Sequence, residues 1–212
     1  MISYLKLSGC SKSFDQYHVF RNVNYQFETG KMYALVGPSR SGKTTLLNSV
    51  GRLEKLTSGS ISFDDTDIKT IPSLKYFRRY IGYLFQNYAL VDEETVAQNL
   101  NIVKHYRTNV LQEHLSKYGL DDTYLTRKIF TLSGGEAQRV ALARLSLQDP
   151  LIVLADEPTG ALDHANGQLV LDSLREMANS GKVVIIATHD DQVKAAVDEC
   201  VRISDFNYPV NT

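Results

Sequence analysis

A strand, a glycine-rich loop and a helix near the start of the chain limit its possible folds more than any other feature. The apolar run Met32–Val36 leads into the loop GPSRSGKTT, and helical spacing begins at Gly42. Glycines at both ends of such a loop let backbone N–H groups point inward at phosphate oxygens, and the helix adds the positive end of its dipole. Lys43 and Thr44 stand where a lysine reaches the terminal phosphates and a threonine binds Mg²⁺. The spacing from Gly37 to Thr44 therefore predicts a site for a nucleoside triphosphate.

Further apolar runs predict the rest of the architecture. LIVLA at 151–155 and VVIIAT at 183–188 are continuous, as in the buried strands of a mainly parallel sheet. Residues 2–8 and 18–28 alternate like half-buried strands, whereas 93–148 is mostly helical in pattern. A further helix is expected over 163–180, with Asp163 as its cap and Gly181 after its end. We therefore expect an α/β core with an early β-rich portion and a helical insertion.

The composition excludes several classes of protein. The 23 lysines and arginines are balanced by 24 aspartates and glutamates, and a net charge of −1 does not favour a nucleic-acid partner. Cys10 and Cys200 are too few for a disulfide framework or a zinc cluster, so reduced thiols are expected. No apolar run approaches the roughly 20 residues that span a bilayer, and MISYLKLSGCSKSF lacks the features of a secretory signal. These observations predict a cytosolic chain.

Polar residues follow both continuous apolar runs. Asp156 can bind Mg²⁺ from the strand tip, and Glu157 can polarise a water molecule for in-line attack on a γ-phosphate. The alternative for both carboxylates is a solvated strand end that starts a turn. His189 is either a structural hydrogen-bonding residue or a donor that stabilises charge developing at the γ-phosphate.

A second candidate anion site lies in the segment LSGGEAQRVALAR, which starts at Leu132. Ser133 and the glycines after it offer a hydroxyl, free N–H groups and a helix dipole, and Glu136 stands where a capping box would place it. The LSGGExQR pattern resembles the signature motif of ATP-binding cassette (ABC) ATPases, and the resemblance extends from about residue 2 to residue 204. It implies a P-loop NTPase core, a mainly parallel sheet with helices on both faces, an N-terminal antiparallel β subdomain and an inserted helical subdomain.

The resemblance also implies ATP hydrolysis, with ATP and Mg²⁺ as cofactors. The residues implied in catalysis are Lys43, Gln86, Glu157 and His189, and those implied in holding Mg²⁺ are Thr44, Gln86 and Asp156. The residues implied in nucleotide contact are Phe14, Gly37, Ser39, Arg40, Ser41, Gly42, Lys43, Thr44, Thr45, Ser133, Gly134, Gly135, Glu136 and Asp163.

Several of these residues match particular family positions. Phe14 resembles the aromatic residue that stacks on adenine; a core phenylalanine is the alternative, and Tyr17 is a competitor for the role. Gln86, in IGYLFQN, resembles the Q-loop glutamine that contacts Mg²⁺ and the attacking water. The segment ALD at 161–163 resembles the D-loop that communicates between subunits, and Ser39 matches a position that meets the D-loop of the other subunit.

In the family, the signature of one subunit covers the γ-phosphate bound by the phosphate loop of the other. Two ATP molecules are then sandwiched in a head-to-tail dimer, and a homodimer is expected because this chain carries every motif. We expect residues 1–212 to form a single ABC ATPase domain. Residues 1–86 and 149–212 would form the nucleotide-binding core with its β subdomain, and 87–148 the helical subdomain.

A single cassette without a membrane span resembles the separate ATPase subunit of an ABC transporter. A coupling helix of an integral membrane permease would enter the cleft beside Gln86. The chain would then lie in the cytoplasm, on the inner face of the cell membrane, and contact the membrane only through the permease. A soluble regulatory or assembly ATPase that acts on a cytosolic protein is the alternative.

The segments IGYLFQNYALVDEETVAQNL and RKIFTLSGGEAQRVALAR resemble cassettes of the lipoprotein-releasing and macrolide-efflux type. Within these they resemble predicted bacteriocin-export ATPases, which implies export of a peptide or a toxic compound. The acidic run at 92–94 either belongs to this resemblance or only begins a helix near its positive end. The basic run KYFRRY at 75–80 either faces lipid headgroups or is a solvated helix face.

Arg40 departs from the family pattern, in which glycine nearly always fills this position of the loop. If the backbone there needs a positive φ, the arginine costs on the order of 1 kcal/mol or more in strain; otherwise the loop has an ordinary conformation. We expect the side chain to point toward the other subunit, with a cationic role near the nucleotide as the second possibility.

Overall fold

Two β-sheets organise the chain. The structure is a computed structural model that describes residues 3–160 and 163–203. Its strands are β1 Tyr4–Phe14, β2 Tyr17–Glu28, β3 Met32–Val36, β4 Ser58–Phe63, β5 Thr66–Asp67, β6 Ile81–Leu84, β7 Ile152–Asp156, β8 Val183–Ala187 and β9 Glu199–Arg202. Its α-helices are α1 Lys43–Val50, α2 Ser73–Lys75, α3 Val96–Leu100, α4 Thr108–Lys117, α5 Gly134–Gln148, α6 His164–Asn179 and α7 Asp191–Ala196.

The first sheet is antiparallel and comes from the N-terminal part of the chain, with strand order β2-β1-β4-β5. It carries the hairpin between β1 and β2, in which Phe14 lies opposite Tyr17. The second sheet has strand order β6-β7-β8-β3-β9, and each of these neighbouring pairs is parallel. The parallel core and the antiparallel N-terminal sheet confirm the predicted fold class.

Alternate residues of the parallel strands face two different hydrophobic cores. In β7, Ile152 and Leu154 pack in the core shared with α1 and the antiparallel sheet. Val153 and Ala155 pack in the core shared with helices α3 to α6. Helices therefore cover both faces of this sheet, which explains why its central strands are continuously apolar.

The predicted helical stretch is helical in pieces. Short 3₁₀ turns at Asp122–Thr126 and Ile129–Thr131 separate α4 from α5. Helix α5 begins where the sequence predicts: Ser133 caps it, and Ser133 and Glu136 form the reciprocal hydrogen bonds of a capping box. Helix α6 likewise begins after Asp163, whose side chain accepts a hydrogen bond from the Asn166 N–H. The division into 1–86 with 149–212 and 87–148 stays a prediction.

The sequence did not predict every element. Strand β1 continues to Phe14, whereas the sequence predicts an end at residue 8. Its pairing with β2 shifts register between Leu7 and Cys10, just where the predicted strand ends. Gly9, within that irregularity, has a φ of 59°. Such a bulge interrupts the alternation on which a strand prediction rests. The short polar strands β4, β5 and β9, strand β6 and helix α7 were also not predicted.

The sequence predicts no membrane-spanning segment, which would require a long and apolar helix. Within residues 3–160 and 163–203, no helix is both long enough and apolar enough to cross a bilayer.

Candidate nucleotide site

Parallel pairing brings the candidate site residues to one edge of the second sheet. Ala187 of β8 lies opposite Leu35 of β3 and opposite Asp156 of β7. The loop after β3, the carboxylates after β7 and the histidine after β8 therefore emerge side by side. The carboxyl edge of an open parallel sheet is where such folds bind ligands.

The phosphate loop adopts the conformation that its glycines permit. Gly42 caps α1 with a φ of 99° and a ψ of 6°. A Cβ atom there would lie 2.7 Å from Val19 Cγ1, so both the backbone angle and the close approach require glycine. The first turn of α1 then presents its free N–H groups to the loop interior, as an anion site needs.

Lys43 lies inside the loop. Its side chain is buried, and Nζ donates hydrogen bonds of 2.8 Å and 3.2 Å to the carbonyl oxygens of Gly37 and Pro38. The ammonium group is thus held in place by the loop backbone. Its charge can attract phosphate oxygens into the same loop.

Thr44 and Asp156 join the loop to the tip of β7. The Thr44 hydroxyl donates to Asp156 Oδ1 over 3.1 Å. Burial raises the pKa of the Asp156 carboxyl, against the opposing effect of this hydrogen bond. Hard oxygen ligands of this kind suit Mg²⁺, which binds proteins through one or two such groups, keeps several waters and completes its shell with substrate phosphates. The pair therefore fits the magnesium role, although no group of three or more His, Cys, Asp or Glu side chains that could hold a metal lies within the described residues.

Glu157 is fixed in an unusual backbone conformation beside this pair. Its φ is 46°, and its N–H donates to the Ala187 carbonyl over 2.9 Å. His189 Nδ1 lies 2.8 Å from Glu157 Oε1, and the Thr188 hydroxyl donates to Oε2 over 3.3 Å. A left-handed conformation at a non-glycine residue carries strain that the surroundings must offset, and such residues concentrate at functional sites. These contacts also join the ends of β7 and β8.

A cavity of about 380 Å³ opens in front of the loop. It is lined by Phe14, Tyr17, Val19, Ser39, Arg40, Ser41, Gly42, Lys43, Thr44, Thr45 and Glu157. The structure thus brings the phosphate loop, an aromatic wall and the Glu157 carboxylate around one space.

The aromatic wall comes from the β1–β2 hairpin. The Phe14 residue is 47% exposed and Tyr17 is 63% exposed, so Phe14 is not a core residue. The Lys12 ammonium lies 4.3 Å from the centroid of the Phe14 ring and is itself held by Glu54 at 2.7 Å. The contact with Lys12 leaves the exposed part of the Phe14 ring available for stacking.

Arg40 has a φ of 66°, so the arginine occupies the strained conformation and the alternative of an ordinary loop is wrong. Arg40 is exposed and lines the cavity at the tip of the loop. A left-handed arginine costs about 1–2 kcal/mol relative to the right-handed region, and glycine would avoid this cost.

Gln86 follows β6, the edge strand beside β7, and is exposed. Leu84 of β6 lies opposite Ala155 of β7, so Gln86 leaves the sheet at the same edge as Asp156. It does not line the cavity in front of the loop. The structure therefore places Gln86 at the same sheet edge as Asp156 but outside the lining of the cavity, and its role stays a prediction.

The signature residues form a separate surface. Ser133 donates from its N–H and its hydroxyl to Glu136 Oε2, and the Tyr124 hydroxyl donates to Oε1. These bonds, with the one from Tyr124 the largest cause, lower the pKa of Glu136 to about 2. The carboxylate is therefore engaged in the cap and leaves Gly134 and Gly135 at an open helix start.

Asp163 lies close to this signature surface. It caps α6 through Asn166, and a Cβ atom on Gly135 would lie 3.0 Å from Asn166 Nδ2. Ala161 and Leu162, the other D-loop residues predicted from the sequence, lie outside the described residues. The signature and Asp163 do not line the cavity in front of the loop.

Two side chains around the site were not predicted from the sequence. Gln138 of α5 is 2% exposed, and its Nε2 donates to the Pro158 carbonyl over 2.9 Å, which ties the signature helix to the residue after Glu157. Thr188 is fully buried and bonds both Glu157 and the Asp190 N–H. The available signals were a polar residue on an otherwise apolar helix face and a threonine that ends an apolar strand.

Known proteins resemble the chain along most of its length. The profile of the family described as ABC transporter matches residues 20–160. The macrolide export ATP-binding/permease protein MacB of Vibrio parahaemolyticus is 38% identical over 197 residues, which cover 88% of this chain and 30% of that protein. The protein of the same name from Salmonella choleraesuis is 37% identical over 219 residues, which cover 97% of this chain and 34% of that protein. The chain thus spans about a third of the length of the curated relatives it matches.

Solved structures of ABC transporter cassettes also resemble the chain. A dimeric structure of a bacterial ABC transporter cassette superimposes with a TM-score of 0.82 at 30% identity and covers 94% of each chain. A dimeric post-hydrolysis state of the same cassette, bound to ADP and phosphate, also gives a TM-score of 0.82 at 30% identity.

The raised pKa of Asp156 predicts how pH and substitution change stability. Because the folded chain holds this proton more tightly than the unfolded chain does, the contribution of Asp156 to the free energy of unfolding falls as pH rises from its ordinary pKa of 3.8 through the raised value. Asp156→Asn keeps an oxygen for the Thr44 hydroxyl and removes the buried charge. Without nucleotide, at neutral pH, we expect Tm to rise by about 2 °C at most, because the carboxyl is half-buried and solvent screens part of its charge.

Thermal unfolding at neutral and acidic pH tests this expectation. Asp172→Asn, on the exposed face of α6, is the matched control and should leave Tm unchanged within about 1 °C. A gain for Asp156→Asn that persisted at a pH below 3.8, where the wild-type carboxyl is protonated, would contradict the electrostatic explanation.

Proposed function

The chain belongs to the ABC transporter family of ATPases, and we propose that its ATP hydrolysis drives export through a separate membrane permease. The observation that carries this proposal is the Glu157 carboxylate, which lines the cavity of the phosphate loop and is held by His189. The curated relatives are named as macrolide export ATP-binding/permease proteins. Because this chain covers about a third of their length, the permease part would be supplied by another chain or segment.

In this proposal the loop binds the triphosphate of ATP. N–H groups of the loop and of the first turn of α1 bind phosphate oxygens, and the Lys43 ammonium exchanges carbonyl partners for the terminal phosphates. Phe14, with Tyr17 beside it, stacks on the base. Thr44, Asp156 and Gln86 would hold Mg²⁺, which neutralises charge that develops on the phosphates.

Glu157 is the proposed catalytic carboxylate. It polarises a water molecule whose oxygen attacks the γ-phosphorus while the bond to the ADP oxygen breaks, and its carboxylate accepts the proton that the water loses. The His189 ring and the Thr188 hydroxyl orient the carboxylate. His189, whose side chain is 76% exposed, can also donate to the γ-phosphate from its second ring nitrogen.

We propose that two copies of this chain form a head-to-tail dimer. The signature residues and Asp163 lie apart from the cavity of their own chain, so they are free to cover the nucleotide of a second copy. The helix start at Gly134 and Gly135 suits the γ-phosphate because the space beside Gly134 is open, while the Glu136 carboxylate is bound to Ser133 and Tyr124. Ser39 and Arg40, at the tip of the loop, would then meet the other subunit.

An apolar groove supports the proposed contact with a permease. A second cavity, of about 300 Å³, lies beside Phe85 of the Q-loop segment. Its rim carries Leu53, Phe77 and Ile102, which are 51%, 40% and 55% exposed. Exposed apolar side chains that cluster around one groove mark a protein interface more often than isolated ones do. A short coupling helix with an apolar face fits this groove, in the helix-in-groove mode of recognition.

The cargo is the least constrained part of the proposal. The names of the relatives favour efflux of a toxic compound such as a macrolide, and the acidic run at 92–94 accompanies the resemblance to bacteriocin-export ATPases. We propose export of a toxic compound or peptide. The chain would lie on the cytoplasmic side of the cell membrane, where ATP is available.

Glu157→Gln tests the catalytic proposal. The glutamine keeps the size and hydrogen-bonding shape of the side chain but cannot accept the proton, so ATP turnover should fall by about 10²–10⁴-fold while ATP binding is retained. Because ATP then persists between the subunits, we expect a stable ATP-dependent dimer in size-exclusion chromatography. Glu113→Gln, on the exposed side of α4, is the control for a lost carboxylate and should hydrolyse ATP normally. Turnover by Glu157→Gln at the wild-type rate would show that the assignment is wrong.

Arg40→Gly tests the proposed role of the loop tip at the dimer interface. The substitution removes the side chain and relieves the positive φ, so ATP-dependent dimerisation or turnover should change more than the ATP affinity of the monomer. Arg40→Ala loses the same guanidinium but keeps the strain, and comparison of the two variants separates side chain from backbone. Fluorescent ATP binding and dimerisation are measured on both. A large change in monomer affinity with unaltered dimerisation would contradict the proposal.

Ile102→Asp tests the permease groove. A carboxylate placed among the exposed apolar side chains should weaken docking of an apolar helix by about 1–3 kcal/mol, or about fivefold to 150-fold. The measurement is co-purification with a candidate permease, a multi-span membrane protein that is co-expressed with this chain. Phe130→Asp, at an apolar residue that is 59% exposed outside the groove, is the matched control. Equal recovery of the permease with both variants would place the contact elsewhere.

A further inference from the structure

A basic depression lies next to the apolar groove. It has a volume of about 920 Å³ and lies between the turn that starts at α2, the segment after α3 and the end of α5. Four permanently charged side chains line it: Lys75, Arg78, Arg79 and Lys104. We call this surface the basic basin.

The four cations of the basin have no acidic partner within the described residues. The ion pairs of this part of the chain involve other lysines and arginines. Asp149 also lines the basin, but its Oδ1 is bound to Lys182 Nζ at 2.6 Å. The positive charge of the basin is therefore uncompensated.

This concentration of charge is local. The whole chain has a formal net charge of −1, so its surface is not basic in general and the positive charge is concentrated in the basin. Cations that line a concave surface with low-dielectric walls reinforce one another's field and attract counter-ions. A solvated helix face accounts for Arg78 and Arg79 alone, but not for Lys104, which comes from the segment after α3.

The rim of the basin is apolar and aromatic. Leu151, which lines the basin, is 42% exposed. Tyr80 and Tyr106 line the wall, and the Lys104 ammonium lies 5.4 Å from the centroid of the Tyr106 ring. Lysine and arginine interspersed with an exposed leucine and half-buried tyrosines are the composition of surfaces that lie on an anionic bilayer.

The position of the basin agrees with that composition. Val103 and Gln148 line both the basin and the apolar groove, so the two surfaces are continuous. If the groove receives a permease helix, as proposed above, the basin faces the membrane in which the permease sits. In this respect the inference rests on the proposed function.

We propose that the basic basin binds the headgroups of anionic phospholipids and thus holds the ATPase directly on the membrane surface. The cations are spread around a wide, open depression, which suits several mobile phosphate groups better than the single aligned carboxylate of a protein side chain. The exposed Leu151 provides shallow apolar contact beside the headgroups. The chain would then touch the membrane through its own residues as well as through the permease.

Vesicle flotation with the purified full chain tests the proposal without nucleotide or permease. Vesicles of phosphatidylcholine alone are compared with vesicles that also contain phosphatidylglycerol. We expect binding only to the anionic vesicles, and loss of it when salt is raised from about 0.1 M to about 1 M. A basic residue near an anionic surface strengthens binding by about fivefold, so Arg78→Gln with Arg79→Gln should weaken it by about 25-fold.

Lys6→Gln with Arg21→Gln is the matched control. It removes the same charge from two exposed residues of the antiparallel sheet, outside the basin, and should leave vesicle binding within about twofold of wild type. Equal weakening by both double variants would overturn the proposal, because it would show nonspecific charge attraction. Equal binding of the wild-type chain to both kinds of vesicle would also overturn it.

The remaining outcomes separate this inference from the proposed function. If the wild-type chain ignores anionic vesicles but the Arg78→Gln, Arg79→Gln variant loses the co-purified permease, the basin serves an acidic protein segment and the lipid proposal is wrong. A chain that hydrolyses ATP and captures the permease, yet does not float with anionic vesicles, overturns only the lipid proposal. A chain that floats through the basin but neither hydrolyses ATP nor captures a permease overturns only the proposed function.

Discussion

The parallel pairing of β3, β7 and β8 is the constraint on which the rest of the site depends. Leu35, Ala155 and Ala187 come close to the sheet edge at nearly the same level, and the chain leaves each strand within one or two residues. The phosphate loop, the paired carboxylates and His189 have no other reason to meet, since long stretches of sequence separate them. A shift of one residue in either pairing would turn the buried apolar residues of a strand to the opposite face of the sheet. The hydrophobic cores on both faces therefore hold the site in register.

The sequence predicts those parts of the fold whose structure is determined by residues close together in the chain. Strands β3, β7 and β8 are apolar because helices or the other sheet cover both of their faces, and the capping box at Ser133 forms within three residues of chain. Strands β4 and β9 are exposed at several positions, and β1 is bulged. None of the three therefore shows a regular alternation of apolar and polar residues in its sequence. Those strands are fixed by their neighbours, and such information is not present in a short window of sequence.

The same division applies to the site. The loop residues and Asp156 follow from spacing, whereas the left-handed φ of Glu157, its contacts with Thr188 and the bond from Gln138 to Pro158 arise from tertiary packing. Phe14 lies at the end of the irregular β1–β2 pairing, opposite Tyr17, and its 47% exposure is not evident from the sequence. For Arg40, the sequence raised two possibilities for the backbone, and only the structure separates them. The strain is retained although glycine would remove it, which is expected where a side chain at that position has a use.

Helix α5 connects the signature surface with the apolar groove and the basic basin. Its first turn carries the signature residues, and Gln148 at its end donates hydrogen bonds of 2.8 Å and 2.6 Å to the carbonyls of Phe77 and Ile81, between the apolar groove and the basic basin. A helix of 15 residues spans about 22 Å as a single rigid body, and Gln138 in its second turn donates to the Pro158 carbonyl, next to Glu157. In the proposed dimer, a displacement of the signature toward a nucleotide on the second subunit would move the end of α5, beside the groove where we propose that a permease docks. Release of that nucleotide contact on hydrolysis would then shift the groove and the basin with no need for a flexible relay, because the same helix forms part of all three surfaces.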